Sequence, residues 1–187
     1  MNRAILICLC WSLVLQSGAQ NLRFYSEDLT FRLNRDYFEV EGLYYFRNTS
    51  GGDLRQTLFY PFPDVERYGD ISKISVCRDG DTTSMLIRQN ERGALFLVDL
   101  KKDEEAAWHI HYRQQLKSTE AKYIVMTTHK WGEPFETAHY QLEVPDELQL
   151  TQISLQPDST ISRGSHKILV WSREDFMPEV DFEFRFE

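Results

Sequence analysis

His109 and His111 are the pair of side chains in this sequence with the most direct chemical reach. Residues two apart on a strand project to the same side, so both imidazoles can approach one metal ion, with His129 or His139 as a third ligand. The flanking residues argue for a plainer role. Trp108, Ile110 and Tyr112 alternate with the histidines as the apolar set, which puts the imidazoles on the opposite, hydrated face. His139 falls likewise on the polar side of Ala138, Tyr140 and Leu142. A metal-binding protein or metal-dependent hydrolase using His109 and His111 is therefore the alternative, and solvated histidines are the expectation.

Two aromatic and proline-rich segments form a second candidate, Tyr60-Pro61-Phe62-Pro63 with Tyr68 shortly after, and Trp131-Gly132-Glu133-Pro134-Phe135. Proline-stiffened loops lose little entropy on contact, so Tyr60, Phe62, Tyr68, Trp131 and Phe135 are a candidate binding surface. The competing expectation is that each loop turns a corner and tucks its rings into the core. Asp79-Gly80-Asp81 matches the start of a calcium loop, but position 83 is Thr and position 90 is Asn, so a β-turn is the better reading. Asn48-Thr49-Ser50 is a glycosylation sequon in an expected turn. The sequence has no H-E-x-x-H, no G-x-S-x-G, no phosphate-binding glycine loop and no dinucleotide fingerprint. It points to no catalytic residue and no cofactor.

The elements that position these residues read as strands. Period-two alternation runs through Leu29 to Leu33, Phe38 to Arg47, Ala106 to Tyr112 and Phe182 to Phe186, with Phe182, Phe184 and Phe186 facing one way. Further strands are expected near Leu54 to Tyr60, Ile71 to Cys77, Met85 to Arg88, Ala94 to Leu100 and Lys122 to Thr128. Three more fit Thr137 to Val144, Leu148 to Leu155 and Lys167 to Trp171. Asn48 to Asp53 should close a hairpin, and Pro61 and Pro63 should end a strand because proline cannot donate to a central ladder. The strongest helical window, Lys101 to Ala107, is short and runs into a strand pattern. About a dozen short strands predict an all-β chain, an antiparallel β-sandwich of saddle-like or two-lobed form. One domain over residues 20–187 is expected, with a lobe boundary near 117–120 as the competing division.

The first nineteen residues read as a secretory signal: Arg3, an apolar run from Ala4 to Leu15, then Ser17-Gly18-Ala19 for cleavage. The apolar run is too short to span a bilayer, so the protein is expected to be exported, periplasmic or extracellular, and not membrane-embedded. Cys8 and Cys10 lie inside that run, and neither follows a small residue as a lipidated cysteine would. Cys77 then remains as a lone thiol, so stability must come from the core. The whole chain of 187 residues is 42% apolar and 13% aromatic, enough to fill a core, and its net charge is -8. That acidity, with arginines scattered singly, argues against nucleic acid as a partner.

Glu27-Asp28-Leu29, Tyr44-Tyr45-Phe46-Arg47-Asn48-Thr49-Ser50 and Phe59-Tyr60-Pro61-Phe62-Pro63-Asp64 together resemble a bacterial exported family of unknown function. That family carries an aromatic strand ending in Arg-Asn-Thr, followed by a strand closing in a proline–aromatic–proline corner. The order of elements is also similar to the amino-terminal, non-catalytic β-domain of the zinc aminopeptidases. The shared features are a hairpin strand pair, a strand near Trp108 to Tyr112, the Trp131 to Phe135 loop and a strand from Tyr140 to Pro145. The catalytic helix of those enzymes, with its zinc ligands, has no counterpart here. The resemblance implies a β-domain working by contact, with an unknown protein or glycan as partner, in macromolecular binding or surface assembly. A lectin-like carbohydrate-binding module is the nearest alternative.

Overall fold

The expected strands form, and they divide between one large sheet and two small ones. The computed structural model describes residues 21–187, with the side chains of residues 72 and 73 outside that description. The expected signal segment, with Cys8 and Cys10, lies outside the described residues. The strands are β1 (Leu22–Leu33), β2 (Tyr37–Asn48), β3 (Leu54–Pro61), β4 (Ile71–Arg78), β5 (Leu86–Asn90), β6 (Gly93–Leu100) and β7 (Glu105–Gln115). They continue with β8 (Glu120–Tyr123), β9 (Phe135–Pro145), β10 (Leu150–Ile153), β11 (Ser159–Arg163), β12 (His166–Phe176) and β13 (Phe182–Phe186). A one-turn helix α1 (Val65–Tyr68) and a 3-10 segment (Met126–Trp131) interrupt them.

Seven strands form one sheet in the order β11-β12-β9-β1-β2-β7-β4, and the two three-stranded sheets are β10-β13-β8 and β3-β6-β5. The β1–β9 pair is parallel, while the other named pairings are antiparallel. Both small sheets cover the same apolar face of the large one, making a two-layer all-β sandwich. On one side Phe182 meets Tyr140 at 4.7 Å and Trp171 at 5.3 Å between ring centres. On the other, Phe46 meets Phe96 at 6.4 Å, and Tyr60 meets Tyr112 at 5.9 Å. Full burial of one such ring contributes about 2–3 kcal/mol, so the aromatic seams carry much of the folding energy. Two indoles pin the layers polar-to-polar: Trp108 Nε1 donates to Leu97 O at 3.0 Å, and Trp171 Nε1 to Leu155 O at 3.0 Å.

Several sequence expectations are corrected. The Asn48 to Asp53 turn closes no hairpin, because β2 pairs with β1 and β7 whereas β3 pairs with β6 in another sheet. That turn instead carries the chain from one layer to the other. The Lys122 to Thr128 strand stops at Tyr123, since Asp181 Oδ1 accepts from the backbone N–H groups of Val125 (3.1 Å) and Met126 (3.0 Å) and holds a 3-10 turn. Helix α1 and strand β11 carry no apolar periodicity, and neither was expected. Asp64 caps α1 by accepting from Glu66 N at 3.0 Å, and Gly69 ends it at φ 102°. Asp79-Gly80 forms a turn with Gly80 at φ 76°, and the Asp81 carboxylate accepts from Thr83 N at 2.9 Å.

Candidate functional site

Strand β1 changes phase at its start, and this places the most deeply buried carboxylate among the described residues. Phe24 lies opposite Phe46, but Ser26 lies opposite Tyr45, so Tyr25 is an extra residue in the ladder. Before this bulge Leu22 and Phe24 face the core; after it Glu27, Leu29, Phe31 and Leu33 do. The extra residue, Tyr25, sits on the outer face beneath the Arg47 guanidinium, 4.3 Å from ring centre to Cζ. Glu27 is 1% exposed.

The surrounding strands give Glu27 only phenols. Tyr140 Oη on β9 donates to Oε1 at 2.5 Å, and Tyr123 Oη on β8 donates to Oε2 at 3.2 Å. The network continues from Tyr123 Oη to Tyr44 Oη at 3.3 Å and from Tyr44 Oη to Tyr60 Oη at 2.8 Å. Burial pushes the Glu27 carboxyl up from 4.5 to about 7, against the lowering effect of its two phenol donors. Among the described residues, no lysine, arginine or histidine contributes to that balance. Burial also pushes the four phenols well above their ordinary value, so they stay neutral. The carboxyl is thus the group of this network that titrates near neutral pH.

Glu27, Tyr44 and Tyr123 of this network form the floor of a cleft of about 590 Å3, open where the second layer splits into its two small sheets. Volumes of about 300–1,000 Å3 are usual for small-molecule sites. One wall is β3 from Gln56 to Pro61, with Phe96 behind it. The other is the stretch from Tyr123 to Trp131. That wall is tied to the chain beyond β12: His129 Nε2 contacts Pro178 O at 2.6 Å, and Asp181 holds Val125 and Met126. Trp131 packs edge-on against Phe24 at 5.8 Å and keeps part of its surface at the rim. No histidine and no second carboxylate lines the cleft among the described residues.

The five aromatics of the candidate binding surface do not form one exposed platform. Tyr60 and Trp131 both line the cleft, on opposite walls. Phe62 is buried against Tyr112 at 5.5 Å, Phe135 is buried against Phe24 at 4.8 Å, and Tyr68 is buried at the end of α1. The histidines expected on the hydrated face are there. His109 Nε2 lies 3.4 Å from Glu41, and His111 Nε2 lies 2.5 Å from Glu39. Burial pushes the Glu39 carboxyl up, but hydrogen bonds from His111 and Arg113 outweigh it and hold the group below its ordinary value. His129 and His139 bond elsewhere, to Pro178 and Ser172. No group of three or more His, Cys, Asp or Glu is placed to hold a metal among the described residues, so the metal alternative has no third ligand. Burial pushes the Cys77 thiol up, away from the reactive thiolate.

The sequon is also corrected. Asn48 is 1% exposed, and its Nδ2 donates to Gly52 O and Lys101 O, each at 2.7 Å. Its Oδ1 accepts from Ser50 N at 2.9 Å and Ser50 Oγ at 2.7 Å. The amide nitrogen that a glycan would need is occupied, and the residue serves to lock the inter-layer turn.

Fold and cleft together define a two-layer β-domain with a split second layer. The same fold occurs in a provisionally assigned nutrient-binding protein from Legionella pneumophila, at a TM-score of 0.72 and 13% identity, covering 90% of this chain and 67% of that one. It is also similar to an M1 zinc metallopeptidase from Deinococcus radiodurans, at a TM-score of 0.55 and 10% identity over 89% of this chain. A two-domain M1 zinc metallopeptidase variant bound to L-tryptophan matches at a TM-score of 0.54 and 11% identity over 89% of this chain. The chain spans 42% and 43% of those two peptidases, respectively. At these identities the likeness is one of fold, and at that level the resemblance to the zinc aminopeptidases holds. No family model and no curated protein matches the sequence.

Proposed function

We infer that this chain is an exported, non-enzymatic binding domain that holds its ligand in the cleft between the two small sheets. The observation that carries this reading is a buried carboxyl at the foot of an aromatic cleft, aimed there by a bulge. A buried carboxyl without a cationic partner is costly, and its place at the foot of a cleft fits a role in recognition. The cleft suits a ligand with an apolar body and one polar or cationic end. A nutrient-binding assignment for a protein of the same fold supports the reading, and the pattern of residues 1–19 supports export. The carbohydrate alternative has less support, because four of the five candidate aromatics are buried and only Trp131 offers ring surface at a rim.

The test is a titration of uniformly 15N-labelled protein with a panel of amines, amino acids, short peptides and sugars, followed by two-dimensional NMR. Saturable shifts confined to Tyr60, Tyr123 and the Trp131 indole N–H are expected for at least one class. Shifts that cluster on the outer face around His109 and His111 would overturn the assignment of the cleft.

A further inference from the structure

Six consecutive residues of β3, from Gln56 to Pro61, line the cleft. A strand points alternate side chains to opposite faces, so a cavity touching every residue in succession runs along its edge. That edge is open: β3 pairs with β6 and with no other strand among the described residues.

The register fixes which backbone groups face it. Phe62 N donates to Arg92 O at 3.0 Å, and Pro61 is opposite Gly93, so Phe62 and Arg92 form a hydrogen-bonded pair. Counting back by twos, Tyr60, Leu58 and Gln56 bond to β6, whereas Phe59, Thr57 and Arg55 turn their N–H and C=O groups outward. At the other edges, register shifts interrupt β4, β5 and β10, and β8 carries Glu120 and Lys122 within four residues. Strand β11 is unbroken in register and uncharged up to Arg163, but its residues do not line this cleft, so β3 is the open edge that faces it. The β3–β6 register is unbroken, and residues 56 to 60 carry no charge.

The floor beneath this edge supplies a charge to be met. From Tyr60 on β3 the phenols of Tyr44 and Tyr123 lead to Glu27, which has two hydroxyl partners and no cation. A strand added to β3 would lie about 4.8 Å beyond it and point every second side chain to that floor. The two Glu27 oxygens already accept one phenol each, which suits a compact ammonium better than a planar guanidinium that wants both oxygens at once. The tyrosine and phenylalanine rings along the way would bury a lysine's methylene stem.

We propose that the cleft takes an extended peptide as a fourth strand on the free edge of β3, with a lysine side chain of that peptide reaching down to Glu27. This rests on the cleft reading above and names its ligand class. The peptide supplies main-chain hydrogen bonds to Thr57 and Phe59, and its ammonium supplies the counter-ion that the buried carboxyl lacks.

The probes are the capped peptide Ac-Val-Thr-Lys-Thr-Val-NH2 and the same peptide with norleucine in place of lysine. Addition of the lysine peptide is expected to slow amide exchange of Thr57 and Phe59 by about tenfold or more and to leave Gln56 and Leu58 unchanged. Norleucine should weaken binding by about tenfold, and Glu27→Gln should abolish that difference. An arginine peptide should bind more weakly than the lysine peptide. Equal affinity of the lysine and norleucine peptides, or unchanged exchange at Thr57 and Phe59, would overturn the proposal. If a non-peptide ligand alone shifts Trp131 and Tyr123, the peptide proposal falls and the cleft reading stands. If nothing in either panel perturbs the cleft, both fall.

Discussion

Replacing Glu27 with glutamine removes one ionisable proton while keeping the side chain's shape; its amide oxygen accepts from one of the two phenols and its amide nitrogen donates to the other. In the folded protein burial holds the carboxyl at about 7 rather than 4.5. At about 1.4 kcal/mol per pH unit, that difference is worth about 3 kcal/mol. The sign follows from proton binding. Below pH 4.5 folded and unfolded chains both carry the proton, and there is no penalty. Between pH 4.5 and 7 the unfolded chain ionises first, so it binds fewer protons than the folded chain and stability falls as pH rises. Above pH 7 both are ionised and the penalty is constant. Urea unfolding of wild type and Glu27→Gln at pH 5 and pH 8 reads this directly. The difference between them should shift in the variant's favour by up to about 3 kcal/mol on going from pH 5 to pH 8. Comparing the two proteins cancels the titration of ion-paired carboxylates such as Glu39 and Glu41, which are held below their ordinary value and act in the opposite direction at lower pH. A difference independent of pH would refute the reasoning.

Four further outcomes rest on the packing. Tyr140→Phe leaves Glu27 Oε1 without its donor at 2.5 Å, and should cost about 1–3 kcal/mol at pH 8, with a smaller loss at pH 5, by urea unfolding. Gly42→Ala places a Cβ 2.3 Å from Asp28 O and 2.8 Å from Leu29 Cα; since the backbone there has no slack, a loss of about 3 kcal/mol or complete misfolding is expected by circular dichroism melts. Asn48→Ala strips the turn of both donors at 2.7 Å and should cost about 2–3 kcal/mol. Intact-mass measurement of protein secreted from a glycosylating host should show position 48 unmodified.

Alternation made the layers legible, because β2, β7 and β13 each bury every second side chain, as Phe38, Val40, Tyr44, Phe46, Trp108, Ile110, Tyr112 and Phe182 to Phe186 show. Glu27 shares the parity of Leu29, Phe31 and Leu33, but the carboxylates read as lying on the polar, solvated faces of strands, and for Glu27 the structure corrects this. Its significance was masked by the usual placement of glutamate in water. The bulge at Tyr25 was not legible: it contains no glycine, and it exists only because Ser26 takes register from Tyr45 and Thr137. The cleft was hidden for the same reason. It is a gap between β3 and β8, whose partners β6 and β13 lie far along the chain. The aromatic–proline loops drew attention to Tyr60 and Trp131, but composition alone could not separate them from Phe62, Tyr68 and Phe135, which the layers bury. Strand β11 escaped because its five exposed residues are held by backbone pairing to β12 alone.

The most direct test of the account is the titration of Glu27 itself, followed through its side-chain carboxyl 13C resonance from pH 4 to pH 9 and assigned by comparison with Glu27→Gln. A midpoint at about 7 is predicted. A midpoint near the ordinary glutamate value of about 4.3 would mean that the carboxyl is hydrated or already paired with a cation, and would contradict the buried, unpaired acid on which the cleft depends.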